Sequence, residues 1–281
     1  MWRHLHVRIN QHTQLYGVIG SPVGHSLSPS MHNAAFSALQ LNAVYLAFEV
    51  ADLQGCLAGV RALGIRGLSV TIPHKEAVMP LLDSLDHRAA CIGAVNTIVN
   101  RDGKLVGYNT DGSGALRALE DRISVAGRTC LLVGAGGAAR AIGFVLKEGG
   151  ASITVANRSA ERGQALARFL GCSFVPLAQL PKIAADLLVQ TTPVGMAPQA
   201  DQCPVPEDVL RTGMTVMDII YNPLETRLLQ IARSRGCRTI NGLAMFVYQG
   251  AEQFRLWTGL QPPIEEMQQA VRQALHPGAT E

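Results

Sequence analysis

The sequence predicts an α/β protein built as two wound α/β domains around a cleft. Three observations carry that expectation. Short apolar runs rich in Val and Ile alternate with helix-period segments through most of the chain, the pattern left by helices packed on a mostly parallel sheet. A strand-like run at 130–133 feeds a glycine-rich loop and then an Ala-rich helix, which is how a Rossmann-type unit opens. With 281 residues, 48% of them hydrophobic, the chain has enough apolar side chains for a core in each domain.

In the first block, strands are expected at 15–19, 44–48 and 67–70, separated by helices near 29–39 and 53–63. Runs 94–99 and 105–108 flank Arg101-Asp102-Gly103; Asp-Gly is a favoured turn pair, so they read as a hairpin. A helix follows over 112–122. The second block runs through strand 130–133, the glycine loop, a helix to Leu146, a stop at Gly149-Gly150 and strand 152–156. A helix over 160–170 and strands at 187–190 and 215–220 continue it, and the last segments, 243–257 and 264–275, have helical periodicity with no strand after them. Terminal helices often return to the first domain, so the expected division is 1–111, completed by 250–281, against 112–249.

Net charge is +3 and the basic residues are scattered, which lacks the clustered footprint of nucleic-acid binding. Cys56, Cys91, Cys130, Cys172, Cys203 and Cys237 are far apart, with no pair at zinc or redox spacing. They read as reduced thiols, and no metal site is expected. The start, Met1-Trp2-Arg3-His4-Leu5-His6, lacks the apolar run of a signal peptide, and no stretch is long enough to cross a bilayer. The expected location is the cytoplasm, with small-molecule partners and no membrane. Segment 1–14 carries no reading, and Pro198 to Pro206, with Cys203 inside, reads either as a mobile loop or as a packed edge.

Gly134-Ala135-Gly136-Gly137-Ala138-Ala139 fits G-x-G-x-x-A in the required strand-loop-helix setting. Gly134 permits the tight turn, Gly136 lets the backbone approach a pyrophosphate, and Ala139 lets helix and strand pack closely, while the helix N-terminus attracts phosphate. About 20 residues on, where an NAD site usually carries an acid for the ribose hydroxyls, stand Asn157, Arg158 and Ser159. A guanidinium matches a 2′-phosphate, which points to NADP. The plainer reading has Ser159 capping the next helix and Arg158 merely solvated.

Ser26 and Ser28 lie in Gly24-His25-Ser26-Leu27-Ser28-Pro29, between strand and helix. That is a seat for a carboxylate at a helix start, or else ordinary N-cap and N1 chemistry. Thr71-Ile72-Pro73-His74-Lys75 follows the carboxyl end of strand 67–70, where open α/β sheets bind ligands; Lys75 is either a working cation or one more exposed lysine. Asp111, in Asn109-Thr110-Asp111-Gly112, is either a catalytic carboxylate or the N-cap of the helix 112–122.

To these segments are added Gly17-Val18-Ile19-Gly20-Ser21-Pro22, His32-Asn33, Ala94-Val95-Asn96-Thr97, Asp218-Ile219-Ile220-Tyr221-Asn222-Pro223 and Met245-Phe246-Val247-Tyr248-Gln249-Gly250-Ala251. In this order they resemble the shikimate dehydrogenase family over nearly the whole chain. The resemblance implies an N-terminal substrate domain, a Rossmann-type NADP domain, and reversible NADPH-dependent reduction of 3-dehydroshikimate to shikimate in the pathway to chorismate and the aromatic amino acids. By position, Ser26 and Ser28 match residues that hold the substrate carboxylate, Lys75 and Asp111 the catalytic pair, and Thr71, Asn96, Tyr221 and Gln249 further substrate contacts. Gly134, Ala135, Gly136, Gly137, Ala138, Asn157, Arg158 and Ser159, with Thr191, Ile219, Gly242 and Met245, match the cofactor side. Ser69 and Gln190 stand where the family commonly has Asn, and small changes in hydrogen bonding are expected there. A homodimer is left open.

The residue types suit that chemistry. Hydride transfer to a ketone builds negative charge on oxygen, which a positioned ammonium meets and protonates, so Lys75 is expected in that role with Asp111 fixing it and the neighbouring hydroxyl. Burial lowers a lysine pKa and a nearby carboxylate raises it; the sequence does not choose. Two alternatives stand beside this reading: a quinate/shikimate dehydrogenase using NAD, which the absence of an acid next to Arg158 argues against, and a non-catalytic NADP-sensing or ligand-binding module, since fold alone never establishes chemistry.

Overall fold

Strands buried on both faces read as unbroken apolar runs, and strands with one wet face alternate; the chain carries both kinds. The computed structural model describes residues 9–182 and 184–275, so Met1–His6, where no signal-peptide run was found, lies outside the described residues. The chain divides into two units, Met1–Thr110 with Gln249–Glu281, and Asp111–Tyr248.

In the first unit the order is β1 (Gln14–Gly20), α1 (Ser28–Ala38), β2 (Ala43–Glu49), α2 (Leu53–Ala62), β3 (Gly67–Val70), α3 (His74–Ala77), β4 (Ser84–Leu85), α4 (His87–Ile92), β5 (Thr97–Arg101) and β6 (Lys104–Tyr108). The sheet order is β2-β1-β3-β5-β6-β4. Strands β1, β2 and β3 run parallel, and β5 and β6 join as an antiparallel hairpin. Asp102 and Gly103 both have positive φ, 52° and 89°, the conformation that a two-residue primed turn demands. One core gathers Ile19, Leu57, Val60, Leu68, Val70, Ile98 and Leu105. An aromatic group, Tyr16, Phe36, Tyr45 and Trp257, packs with its rings 5.1–5.9 Å apart. Here α10 (Ile264–Leu275) buries Met267 and Val271 and packs against α1.

In the second unit come α5 (Asp111–Glu120), β7 (Thr129–Val133), α6 (Gly137–Glu148), β8 (Ser152–Asn157), α7 (Ala160–Leu170), β9 (Ser173–Pro176), β10 (Leu187–Gln190), β11 (Thr215–Asp218), α8 (Arg227–Ser234), β12 (Arg238–Ile240) and the first turns of α9 (Gly242–Thr258). All its strands are parallel, in the order β12-β11-β10-β7-β8-β9. Counted from β7, that is the 3-2-1-4-5-6 winding of dinucleotide-binding sheets, with its reversal between β7 and β10. Apolar clusters cover both faces.

Several expected boundaries move, among them the first hairpin strand, expected over 94–99 and found as β5 at Thr97–Arg101. β11 stops at Asp218 rather than Ile220, because Asp218 Oδ1 accepts the Ile220 N–H at 3.0 Å and turns the chain out of the ladder. α5 begins on Asp111 and ends at Glu120. α1 begins on Ser28 with Leu27 at the N-cap position and no side-chain cap, so Ser28 does not serve as the N-cap of this helix.

Candidate active site

In the first unit, the expected substrate residues collect around the carboxyl ends of β1 and β3. β1 runs into Ser21 and a cis Pro22, and Ser26 Oγ accepts the Ser28 N–H at 3.3 Å. Ser28 is buried and its hydroxyl lies against the Tyr45 hydroxyl. Across from them, Thr71 packs its methyl where a Cβ on Gly20 would stand, 2.4 Å away, so only glycine allows β1 and the loop after β3 to meet so closely. His74 is buried with Nε2 at 2.8 Å from the Val50 carbonyl, which pins the short α3. Lys75, half-buried, follows it, and its carbonyl accepts the Val95 N–H at 2.8 Å. That bond sets Lys75 next to the segment bearing Asn96.

Asn96 is buried and its amide is fully oriented. Its Oδ1 accepts the Thr110 N–H at 2.8 Å and its Nδ2 donates to Thr110 Oγ1 at 2.9 Å. Nδ2 also faces Gln249 Oε1 at 3.4 Å. Five expected substrate contacts, Ser26, Ser28, Thr71, Asn96 and Gln249, together with Lys75, therefore fall in one unit.

The second unit holds Asp111, Tyr221 and the cofactor-side residues. Asp111 is buried at the first position of α5, and a Cβ on the next residue, Gly112, would stand 2.8 Å from the Ala141 carbonyl. α5 is thus seated directly on α6, the helix that follows the glycine loop. Gly134 has φ +119°, and a Cβ there would lie 2.3 Å from Thr191 Oγ1. Thr191 hangs from the same turn: its N–H and its hydroxyl both donate to the Val133 carbonyl, at 2.9 and 2.7 Å. Gly136 is the N-cap of α6 with no side-chain cap, and a Cβ added there meets nothing within 4 Å. The result is a helix N-terminus with unspent N–H groups and open space in front, which fits a pyrophosphate. Ala139 is fully buried against the sheet.

At the end of β8, Asn157 Nδ2 donates to the Ser159 carbonyl at 2.9 Å, and Ser159 Oγ accepts the Arg162 N–H at 3.4 Å. Ser159 therefore does cap α7, as the plainer reading had it; Arg158 between them is exposed with no acid beside it in sequence. Gly134 N–H donates to the Ala156 carbonyl at 2.8 Å, so the loop and Arg158 share one end of the sheet. Ala135, Ile219 and Met245 meet in one apolar cluster. A Cβ on Gly242 would lie 2.2 Å from the Ile219 carbonyl. Tyr221 stacks on Phe246 with ring centroids 4.2 Å apart. Gln190, fully buried, donates to the Thr192 and Val194 carbonyls and accepts the Thr192 N–H, at 2.8, 3.2 and 2.8 Å, so its longer side chain staples its own loop.

Sequence reading missed several supports. Asp218 is buried and its carboxyl is pushed up to about 6, by burial first, with the Ile220 N–H and the Thr226 hydroxyl pulling the other way. Tyr248 donates to Asp121 at 2.6 Å under the guanidinium of Arg117, tying α9 to α5. Gln253 lies one helical turn after Gln249 on α9, and that spacing was the one available signal for it. The six cysteines are all free, and burial raises the Cys130 thiol to about 12. Among the described residues, no helix is long and apolar enough to cross a membrane.

A doubly wound sheet with an open glycine loop, joined in one chain to a second α/β unit lined by hydroxyls, amides and a lysine, defines a two-unit nicotinamide-dependent dehydrogenase. Family models agree: residues 18–98 match the shikimate dehydrogenase substrate binding domain, 116–195 the shikimate/quinate 5-dehydrogenase family, and 242–272 the shikimate 5′-dehydrogenase C-terminal domain. The shikimate dehydrogenase (NADP(+)) of Moorella thermoacetica is 49% identical, with 96% of each chain covered. A crystal structure of a shikimate dehydrogenase in complex with NADP+ is 46% identical, with a TM-score of 0.92 over 95% of this chain and 97% of that one. That of the Thermus thermophilus enzyme with NADP(H) and shikimate is 41% identical, with a TM-score of 0.87 over 93% and 100%. The chain belongs to the shikimate dehydrogenase family.

Proposed function

We propose that this protein catalyses the reversible reduction of 3-dehydroshikimate to shikimate with NADP(H), in the cytoplasm, on the route to chorismate and the aromatic amino acids. The observation that carries it is the uncapped N-terminus of α6 behind Gly134 and Gly136, with Arg158 exposed at the neighbouring strand end. Arg158 suits a 2′-phosphate, and Arg162, one turn into α7, adds a second guanidinium. Bound NADPH supplies the hydride.

The chain's own residues do the rest. Ser26 and Ser28 receive the substrate carboxylate, and Thr71, Asn96, Gln249 and Tyr221 orient the ring hydroxyls. Lys75 hydrogen-bonds the carbonyl oxygen and gives it a proton as charge builds there, and takes that proton back in the reverse direction. Asp111, the other member of the expected catalytic pair, holds the adjacent hydroxyl. The direct test is Lys75→Ala with shikimate titrated separately. Turnover is expected to fall by about 10²–10⁴-fold with binding retained; near-normal turnover overturns the assignment. Rates with NADP⁺ and NAD⁺, on shikimate and on quinate, separate this reading from an NAD-dependent quinate enzyme, and any shikimate-dependent reduction of NADP⁺ removes a purely ligand-binding role. Assembly as a homodimer belongs to the same proposal and is read by sedimentation.

A further inference from the structure

We propose that Gln253 is a positioning residue for the substrate site, setting the donor and acceptor directions of a buried hydrogen-bond chain that joins Ser28 to Asn96. This rests on the reading of those two residues as substrate contacts. The chain lies wholly in the first unit. Gln253 Nε2 donates to the Asn96 carbonyl at 3.1 Å and to Thr97 Oγ1 at 3.0 Å, and its Oε1 accepts the Ser69 hydroxyl at 2.7 Å. The Tyr45 hydroxyl donates to Ser69 Oγ at 2.6 Å and lies against Ser28. At the other end, Thr97 Oγ1 donates to Asn96 Oδ1 at 2.7 Å. Ser69, Tyr45, Asn96, Thr97 and Gln253 are all buried.

The directions follow from one fixed point. A backbone carbonyl only accepts, so the nitrogen side of the Gln253 amide must face Asn96, and its oxygen must face Ser69. Ser69 has one proton and gives it to that oxygen, which obliges Tyr45 to donate to Ser69. Tyr45 then meets Ser28 with its oxygen lone pairs. Thr97 receives an N–H from Gln253, which leaves its own proton for Asn96 Oδ1. Asn96 therefore keeps its N–H face toward Thr110 and Gln249, and Ser28 sees an acceptor rather than a donor. A hydroxyl turned toward Tyr45 swings its proton to an arriving carboxylate without breaking the rest of the chain. Nothing else in this network changes charge near neutrality: burial raises the Tyr45 phenol and drives His32, stacked on Tyr45 at 4.5 Å, down to about 3, with Gln253 offsetting part of that.

The experiment compares Gln253→Met, Gln253→Glu and Asn96→Ala with the unmodified enzyme, measuring kcat and the KM of shikimate and of NADP⁺ from about pH 5.5 to 9, with melting temperatures recorded alongside. Gln253→Met takes one hydrogen-bond partner from each of three buried polar groups, the Asn96 carbonyl, Thr97 Oγ1 and the Ser69 hydroxyl, and is expected to raise the shikimate KM about tenfold, with kcat and the NADP⁺ KM within about twofold. Gln253→Glu carries the sharper result. A protonated carboxyl reproduces one acceptor and one donor, so its shikimate KM, taken as a ratio to the unmodified enzyme at each pH, stays near one at low pH and climbs about tenfold as the buried carboxyl ionises. A residue that only supports the fold lowers the melting temperature without moving that ratio. A flat ratio across pH, or an unchanged KM in Gln253→Met while Asn96→Ala raises it, overturns the proposal. An unchanged KM in Asn96→Ala overturns the site reading beneath it. Should Gln253→Met fail to fold, the Gln253→Glu ratio alone decides.

Discussion

Replacing Asp218 with Asn tests whether the turn after β11 is held by a carboxyl that would rather be neutral. Asp218 is fully buried, and its folded-state value of about 6 stands above the ordinary 3.8. For an acid shifted upward, the fold favours the protonated form. Its contribution is therefore intact below the unfolded value and is lost as pH rises through the folded one. At about 1.4 kcal/mol per unit, the penalty is about 1 kcal/mol near pH 4.5 and levels off at about 3 kcal/mol near pH 8.

Asn escapes that penalty but matches its partners less well. Its oxygen still accepts the Ile220 N–H, while its NH₂ group faces the Thr226 hydroxyl, which now bonds Asp218 Oδ2 at 2.8 Å and caps α8 by accepting the Leu229 N–H. One imperfect hydrogen bond costs about 1 kcal/mol. The variant is expected to match the unmodified protein near pH 4.5 and to exceed it by about 2 kcal/mol near pH 8. In thermal unfolding followed by circular dichroism, that swing is about 4–8 °C. An equal offset in melting temperature at both pH values refutes the reasoning, because a removed hydrogen bond alone has no reason to depend on pH.

Two further substitutions address the cofactor side. Gly134→Ala forces a side chain into φ +119° and 2.3 Å from Thr191 Oγ1; a loss of about 2–3 kcal/mol in stability and a raised KM for NADP⁺ are expected, and wild-type values for both would show that the turn tolerates a Cβ. Arg158→Ala should raise the KM for NADP⁺ about tenfold or more while leaving that for NAD⁺ nearly unchanged; equal effects on the two cofactors would detach Arg158 from the 2′-phosphate.

Much of the fold was legible because its signals are local. The central strands β7 and β10 are buried along nearly their whole length and so appear as bare apolar runs, and the hairpin at Asp102-Gly103 needs a residue pair that tolerates positive φ. Where the reading slipped, a side chain competed with the backbone. The run 215–220 is apolar enough to continue as a strand, yet the Asp218 carboxylate takes the Ile220 N–H. Ser28-Pro29 has the composition of a helix cap, yet the tertiary setting turns Ser28 toward Tyr45. The two-residue β4, the four-residue α3 and the partly exposed edge strand β9 are too short or too mixed to leave a period.

The same contrast separates the two halves of the candidate site. The cofactor side is made of backbone: a positive φ at Gly134, a close approach at Gly242, an uncapped helix at Gly136. Only glycine meets the first two demands, so the sequence displays them, and almost any side chain there should do damage. The substrate side is made of Ser, Thr, Asn, Gln and Tyr, common residues whose partners lie far apart in the chain; Ser69 and Gln253 are separated by 184 positions. Nothing in the local sequence announces such a pair. What matters there is the pattern of donors and acceptors rather than shape, so the substrate side should accept substitutions that keep the pattern and fail with isosteric ones that reverse it. A glutamate at 253 that works when protonated and fails when ionised would be that rule acting on a single side chain.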